Sequence, residues 1–217
     1  SSVDLLIASH GDNDHAGGAK TLMQAIDVAD FIGGEPTRIS EGSRACLAGD
    51  SWQWDGVRFE ILHPNAVDAL SGNNASCVLR VESAAGSVLL TGDIEASIER
   101  KLVNLMPGKL AADVVVAPHH GSLSSSSDAF VDCTDATWVL FARGWANRYG
   151  FPRREIAARW ASNGAQIRDT AREGTLSFAF QLGAELVGPV GYRQAARRFW
   201  MHDVGSAKSL HAVSFVD

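Results

Sequence analysis

The feature that most constrains this chain is a group of polar side chains that directly follows a short apolar segment. Residues 3–9 (VDLLIAS) have the pattern of a buried strand, and the stretch HGDNDH begins at the next residue. Histidine and aspartate together are ligands that suit Zn²⁺, Mn²⁺ and iron. A solvated acidic turn would explain any one of these side chains, but not their clustering at a strand end. We therefore predict a metal site with the ligands His10, Asp12, Asp14 and His15.

Two further apolar segments end in residues of the same kind. Residues 87–93 (SVLLTGD) end at Asp93, and residues 114–120 (VVVAPHH) end at His119 and His120. Such strand ends can converge on one edge of a sheet, where α/β proteins place their sites. Adjacent histidines cannot both point the same way, so one should face the site and the other should contact substrate or support a ligand. Asp93 is alternatively placed to cap a helix predicted at residues 94–106.

The order of the predicted elements favours an α/β fold, with helices outside sheets. We expect one domain at residues 1–182 and a less regular tail at residues 183–217, which packs on the domain or extends from it. Hydrophobic residues make up 46% of the chain, enough for a substantial core, and no apolar run approaches the roughly 18 residues that span a bilayer. Strands are expected at residues 3–9, 31–32, 52–54, 57–62, 77–82, 87–91, 114–117, 138–141, 166–168 and 175–180, and helices at residues 19–28, 94–106 and 153–163.

Charge is unevenly distributed along the sequence. The formal net charge is -6, which is not that of a uniformly basic nucleic-acid binder. A polyanion can nevertheless meet the basic second half while metal ions occupy the acidic centre; solvated helix faces are the alternative. The arginines of the second half are Arg143, Arg148, Arg153, Arg154, Arg159, Arg168, Arg172, Arg193, Arg197 and Arg198.

The cysteines indicate no structural zinc knuckle. Cys46, Cys77 and Cys133 form no C-x-x-C pair. A Cys46–Cys77 disulfide can form only in an oxidising compartment, and the sequence leaves that pairing open.

The ordered set HGDNDH, TGD and HHGS resembles the metallo-β-lactamase superfamily. Together with WQWDGVRFEILHP, NNASCVLRV and RGWANRYGFPRREI, it is similar to the C-terminal domain of the bacterial competence DNA-internalisation channel proteins, the ComEC family. The resemblance covers residues 3–181. It implies an αββα sandwich, in which two β-sheets lie between helices and the metal site lies at one edge. The superfamily has strands before its first histidine motif, so we expect a fragment that lacks its first strands.

The resemblance also implies how the ligands are shared between two ions. His10 and Asp12 would hold one ion, and Asp14 and His15 the other, together with His119 or His120. Asp93 would bridge them. Asp12 stands where the superfamily has a second histidine, and another superfamily histidine has no clear match. His63, Asn73, Asn74 and Ser76 are the candidates for that position. An oxygen-rich site favours Mn²⁺ as much as Zn²⁺.

The implied function is a metal-dependent nuclease domain of a DNA-uptake channel used in natural transformation. A metal-bound hydroxide would cleave phosphodiester bonds of the strand that is not imported. The catalytic residues would be Asp14, Asp93, His119 and His120, and the DNA contacts Ser122, Arg143, Asn147, Arg148 and Arg153. Trp145 and Tyr149 could stack on bases of a single strand, or pack beneath their loop.

The resemblance further implies that the parent is a bacterial inner-membrane protein whose domain faces the periplasm or the cell exterior. Its partners would be single-stranded DNA, the membrane channel portion of the same protein and other competence proteins. Two rival functions remain. One is a small-molecule phosphodiesterase or other hydrolase of the same fold, such as a lactonase. The other is a non-catalytic DNA-binding domain of the channel.

Overall fold

The computed structural model describes residues 2–40, 42–184, 186–196 and 198. The strands are β1 (Ser2–Ala8), β2 (Asp27–Gly33), β3 (Arg44–Ala45), β4 (Ser51–Trp54), β5 (Val57–His63), β6 (Val78–Ser83), β7 (Gly86–Leu90), β8 (Val114–Val116), β9 (Trp138–Phe141), β10 (Gln166–Asp169), β11 (Leu176–Ser177) and β12 (Val190–Gly191). The helices are α1 (Asn13–Ala16), α2 (Ala19–Ala25), α3 (Pro36–Ile39), α4 (Ala96–Leu105), α5 (Asp128–Thr134), α6 (Arg154–Ser162), α7 (Thr170–Glu173) and α8 (Tyr192–Ala195).

Two sheets form the middle of the molecule. The small sheet is parallel, in the order β1-β2-β3. The large sheet has the order β10-β9-β8-β7-β6-β5-β4, parallel from β10 to β7 and antiparallel from β7 to β4. The carboxyl ends of β7 and β8 therefore lie at one edge of the large sheet.

Alternating side chains divide the core into layers. Leu89, Val115 and Val139 of the large sheet pack in one apolar cluster with Phe130 of α5 and Trp160 of α6. A second cluster fills the space between the two sheets, and a third lies between the small sheet and the short helices. The second contains Ile32, Ile61 and Leu79, and the third contains Ala8, Phe31, Ala16 and Ala19. This helix–sheet–sheet–helix order confirms the predicted sandwich.

Besides the four-residue helices α1, α3, α7 and α8, which were not predicted, the helical elements depart from the sequence prediction in three places. Helix α2 ends at Ala25, because residues 27–33 join the small sheet as a full strand. Helix α4 begins at Ala96 with Glu95 at its N-cap position, so the alternative role of Asp93 as the cap is wrong. Helix α5 was not predicted; its seven residues offer too short a periodic pattern.

The end of the described chain returns to the domain. Strand β11 covers only two residues of the strand predicted at residues 175–180, and it pairs with β12. Arg168 Nη2 donates to the carbonyl of Pro189 at 3.1 Å, so this part of the predicted tail packs on the domain. The boundary after residue 182 stays a prediction, and residues 199–217 lie outside the described residues. Within the described part of the chain, no helix combines the length and apolar character needed to cross a membrane.

Gly34 packs against the backbone of Ser9, after β1, and of Ala75, shortly before β6, beside the candidate site. It follows β2, and its amide donates to the carbonyl of Ser9 at 3.2 Å. A Cβ at this position would lie 1.8 Å from the carbonyl oxygen of Ala75 and 2.4 Å from that of Ser9. Both obstacles are backbone atoms, so a side chain here must push the two sheets apart.

We predict that Gly34→Ala lowers the free energy of unfolding by at least about 3 kcal/mol, the upper end of overpacking costs. Gly18→Ala is the matched control, because Gly18 is next to the same loop, has an ordinary φ of -87° and leaves its Cβ direction open. Urea unfolding of both variants measures the difference. Equal stability of the two variants would show that the sheets do not need this close approach.

Candidate metal centre

Three strand ends bring histidine and aspartate side chains to one place. His15 lies in the loop and helix after β1, Asp93 follows β7 and His120 follows β8. The Nε2 atom of His15 lies 3.2 Å from Asp93 Oδ2 and 3.2 Å from His120 Nε2, and the His120 Nε2 to Asp93 Oδ2 distance is 3.4 Å. The predicted convergence of separate strand ends is thus present, with one sheet supplying His15 and the other supplying Asp93 and His120.

His10 and Asp14 extend this group on two sides. His10 is fully buried, and its ligand atom lies within 4.8 Å of those of His15 and Asp93. Asp14 is exposed and forms a second such group with His15 and His120, at 3.5 Å between its Oδ2 and His120 Nε2. His15 therefore belongs to both groups.

The side chains fit a divalent metal ion. Ligands placed about 2.1 Å from a tetrahedral ion lie roughly 3.4 Å from each other, which matches the separations among His15, Asp93 and His120. His10 Nε2 is buried and has no hydrogen-bond partner among the described residues, although it faces this group. A buried nitrogen of this kind is costly unless something binds it. Imidazole nitrogens and carboxylate oxygens together suit Zn²⁺ or Mn²⁺.

The electrostatics of the group favour a negative carboxylate among neutral or cationic rings. Burial raises the pKa of Asp93, but hydrogen bonds from His120 and His15 outweigh it, so the pKa lies well below its ordinary value. The hydrogen bond to Asp93 raises the pKa of His120. Burial, with the neighbouring His15, lowers the pKa of His10. The neutral form of the His10 ring is therefore favoured.

The predicted pairing of ligands is only partly reproduced in the geometry. Asp12 lies near His10, at 3.6 Å between Oδ2 and Nε2, but its other oxygen also accepts from Arg38 Nη2 at 3.3 Å. Arg38 is held in turn by Glu35, whose carboxylate also accepts the amide of Gly11. The sequence pointed to neither Arg38 nor Glu35, because both lie in a segment without a recognisable pattern. The assignment of ligands to individual ions stays a prediction.

Of the two adjacent histidines, His120 faces the group. Its Nδ1 bonds to the carbonyl of Ala142 at 2.6 Å, which directs Nε2 toward Asp93. His119 turns away, with its Nδ1 3.1 Å from Ser124 Oγ and 3.6 Å from Glu95 Oε1. Both residues have positive φ, 47° and 54°, a strained conformation that concentrates at functional sites.

The four candidates for the position of the unmatched superfamily histidine make different contacts. His63 is buried, and its Nε2 donates to the carbonyl of Asn74 at 2.8 Å, so it braces a loop. Asn73 and Asn74 contact Glu95. Ser76 is the one that reaches the group: its Oγ lies 3.2 Å from His10 Nδ1 and accepts the amide of Asp93 at 2.9 Å.

Three of the predicted DNA contacts are occupied by bonds within the protein. Arg143 is paired with Asp169, so its charge is already balanced. The amide of Asn147 bonds both the N–H and the carbonyl of Phe151, which makes Asn147 a brace of its loop. Ser122 is buried and its Oγ lies 3.1 Å from Ser124 Oγ. Their contacts with DNA stay predictions.

Arg148 and Arg153 lie differently. Both are exposed, and neither pairs with an acidic side chain in the described part of the chain. Arg148 lies over the ring of Tyr149, at 4.9 Å from Cζ to the centroid, and Arg153 lies 5.8 Å from the centroid of Phe151.

An aromatic row connects this loop to the centre. Tyr149 stacks on Phe151 with their centroids 5.5 Å apart, and Phe151 lies 6.5 Å from His120 and 5.7 Å from His119. Tyr149 is 52% exposed. The sequence singled out Tyr149 but not Phe151, because only the fold brings that ring against the histidines.

A two-sheet sandwich with histidine and aspartate at these strand ends is an arrangement that suits a metal-dependent hydrolase. The family profile "Metallo-beta-lactamase superfamily" matches residues 1–142. The chain belongs to this superfamily, whose members are typically metal-dependent hydrolases.

The relatives agree with the predicted resemblance to competence proteins, which is confirmed. The chain is 36% identical over 181 residues to "Competence protein ComA" of Neisseria gonorrhoeae, covering 83% of this chain and 26% of that protein. It is 35% identical over 179 residues to "Recombination protein 2" of Haemophilus influenzae, covering 82% of this chain and 22% of that protein. The chain thus spans about a quarter of the length of these relatives.

One solved structure supports the fold. A mutant of the β-hydroxylase CmlA superposes with a TM-score of 0.50 at 12% identity, over 77% of this chain and 43% of that one. At this level of identity the likeness concerns the fold alone.

His63 gives a pH-dependent prediction. Its Nε2 carries the hydrogen that bonds Asn74, and its buried Nδ1 has no partner among the described residues, so burial lowers its pKa. Below the ordinary pKa of about 6.5 the unfolded chain takes up a proton that the folded chain refuses. The free energy of unfolding should therefore fall as the pH drops, by up to about 1.4 kcal/mol per pH unit from this residue.

His63→Gln keeps an N–H donor and removes the titration. Urea unfolding at pH 7.5 and pH 5.5 should show a smaller loss of stability for the variant than for the natural chain. If the free energy of unfolding falls by the same amount in both proteins, His63 takes up its proton as readily in the folded chain as in the unfolded chain.

Proposed function

We propose that this domain hydrolyses phosphodiester bonds of single-stranded DNA, and that it does so as the nuclease domain of a DNA-uptake channel used in natural transformation. The observation that carries the proposal is the convergence of His15, Asp93 and His120, with the buried His10 and the exposed Asp14 on either side. Small esters of the same chemistry, or DNA binding without cleavage, are the outcomes against which it is tested.

Six side chains of the candidate metal centre would act as metal ligands. His10, Asp12, Asp14, His15, Asp93 and His120 would hold two divalent ions. When bound, such a pair lowers the pKa of water toward about 7 and neutralises charge on the phosphate oxygens. Asp93 would hold an ion together with His15 and His120, because its Oδ2 lies 3.2 Å and 3.4 Å from their Nε2 atoms.

Proton transfer falls to a group that substrate can reach. The Asp14 side chain is 65% exposed, and its Oδ2 lies 3.5 Å from His120 Nε2, at the solvent side of the group. A carboxylate in this position can accept a proton on the oxygen that would not hold an ion and release it to the leaving oxygen. His119 stands next to His120 but faces Ser124, which suits a contact with substrate better than a place among the ligands.

The loop beside the centre suits an unpaired strand. Arg148 and Arg153 provide positive charge for a phosphate backbone without reading sequence. Tyr149 offers an exposed ring, and Phe151 continues the aromatic row toward His120. Aromatic side chains stack on single-stranded bases of any kind, whereas the bases of a duplex are stacked on each other. Trp145, which is 62% exposed, extends the same surface.

The relatives and the cysteines support a proposal for the setting of the domain. A relative named "Competence protein ComA" supports a role in DNA uptake, with the membrane channel of the same parent protein and other competence proteins as partners. Cys46 and Cys77 form a disulfide, a bond that persists in oxidising compartments. We therefore place the domain on the periplasmic or outer face of the inner membrane.

The nuclease proposal predicts metal-dependent cleavage of single-stranded DNA by the purified chain supplied with Mn²⁺ or Zn²⁺. Asp14→Ala and Asp93→Ala should each lower the rate by about 100-fold or more, because each removes a ligand or a proton acceptor. Asp132→Ala, an exposed aspartate of α5, should leave the rate unchanged. Gel analysis of a labelled oligonucleotide measures all three.

The rival functions give different results in the same assay. Retention of DNA without cleavage, unaffected by a chelator, would support a binding domain. Cleavage restricted to small esters such as bis(p-nitrophenyl) phosphate would support a small-molecule hydrolase. Either result would refute the nuclease.

The loop predicts a preference for single strands. Tyr149→Ala should weaken binding of single-stranded DNA by roughly 5-fold to 150-fold, the range expected for one stacked base at 1–3 kcal/mol. Tyr149→Phe keeps the ring and should bind as the natural chain does. Trp54→Ala removes an exposed ring at the distant β4–β5 turn and serves as the control. Fluorescence anisotropy with matched single-stranded and duplex oligonucleotides measures the affinities. An equal loss of affinity for both forms in Tyr149→Ala would contradict base stacking.

A further inference from the structure

The candidate metal centre is divided between the two sheets. His10, Asp14 and His15 belong to the loop and helix after β1 of the small sheet, whereas Asp93 and His120 follow strands of the large sheet. A metal site tolerates errors of only about 0.5 Å in its ligand positions. Something must therefore hold the two sheets in register at this edge.

The Cys46–Cys77 disulfide joins the two sheets next to Ser76, which contacts the centre. Cys46 is the residue after β3 of the small sheet, and Cys77 is the residue before β6 of the large sheet. Both are buried, with exposed fractions of 0% and 3%, and their Cα atoms are 6.1 Å apart. The amide of Cys77 also donates to the carbonyl of Ser9 at 2.8 Å, which ties the start of β6 to the histidine loop.

Ser76, the neighbour of Cys77, contacts ligands from both sheets. It is fully buried, its Oγ lies 3.2 Å from His10 Nδ1, and it accepts the amide of Asp93 at 2.9 Å. Ser9 complements it, since its Oγ lies 3.1 Å from His10 Nδ1 and 3.0 Å from His15 Nδ1. The two hydroxyls engage the Nδ1 atoms of both rings and leave both Nε2 atoms directed toward the centre.

We propose that Ser76 is a positioning residue of the metal centre and that the Cys46–Cys77 disulfide holds it in place. The contact of Ser76 Oγ with His10 Nδ1 holds the ring with Nε2 on the side of the centre, and a hydrogen on Nδ1 leaves the electron pair of Nε2 free for a metal ion. The same oxygen fixes the backbone that carries Asp93. The affinity for metal thus depends on a covalent bond that touches no ligand. This inference rests on the proposed metal centre but not on DNA as the substrate.

The physical argument predicts the size of the effect. Partners that orient a metal-bound histidine typically change metal affinity by about 10-fold to 100-fold when they are removed. Ser76 orients one ligand through its ring and another through its backbone, so both effects act together. The disulfide is a covalent bond between the sheets. It restrains their relative position more strongly than hydrogen bonds do.

The first test compares Ser76→Ala with Ser87→Ala in the metal-free chain. Ser87 is also a buried serine, and its hydroxyl donates to Asp113 at the opposite end of β7, so its loss changes stability without reaching the centre. Zn²⁺ affinity is measured by competition with a chelating dye, and the visible spectrum of bound Co²⁺ reports the ligand geometry. We expect Ser76→Ala to bind Zn²⁺ 10-fold to 100-fold more weakly, with an altered Co²⁺ spectrum, and Ser87→Ala to bind as the natural chain does. Unchanged affinity and spectrum in Ser76→Ala would overturn the positioning role.

The second test removes the disulfide. Cys46→Ala with Cys77→Ala should weaken Zn²⁺ binding by about tenfold, whereas Cys133→Ala, which removes the free thiol, should not. Cys46→Val with Cys77→Ala refills the buried volume and is the second variant. A folded variant that binds Zn²⁺ like the natural chain would overturn the coupling. So would failure of both variants to fold even with saturating Zn²⁺, since the bond would then serve the fold and not the site.

These measurements use no DNA, so they separate this inference from the proposed function. Normal Zn²⁺ binding in every variant with normal DNA cleavage would overturn only the inference. The expected affinity losses without any DNA cleavage by the natural chain would overturn only the nuclease.

Discussion

The carboxylate of Asp93 lies where the two sheets meet, and the rest of the centre is arranged around it. His15 from the small sheet and His120 from the large sheet both direct Nε2 at Asp93 Oδ2. Without a cation such a buried carboxylate is expensive, and the hydrogen bonds from the two rings offset part of that cost. The same contacts that satisfy Asp93 therefore hold together a site whose halves come from different layers of the fold.

Two local backbone constraints meet at this edge of the molecule. His119 and His120 both have positive φ. Gly34 leaves no room for a Cβ atom between the carbonyl oxygens of Ser9 and Ala75. In the positive-φ conformation His120 is directed toward Asp93 and His119 toward Ser124. A single turn therefore supplies one histidine to the candidate metal centre and another beside it.

Much of the fold and part of the site could be predicted from the sequence. The alternation of Val57–His63 and the apolar runs at Gly86–Leu90 and Val114–Val116 identify strands, since their patterns span enough residues to be distinctive. Helix α5 and the true start of α4 were missed, because short helices are selected by packing and not by periodicity. The predicted DNA contact of Asn147 stays a prediction, and its hydrogen bonds with the backbone of Phe151 are a role that only the folded loop reveals.

The sequence by itself determined which chemistry is available: the HGDNDH stretch, Asp93 and the histidine pair each follow an apolar strand, and strand ends are where such side chains are both fixed and accessible. Only the tertiary structure decided which of these side chains meet. The choice of His120 over His119, the sharing of His15 between two groups and the place of Ser76 beside the Cys46–Cys77 bond all depend on the relative position of two sheets. That position is set by interlayer packing among residues distant in sequence, which no local pattern encodes.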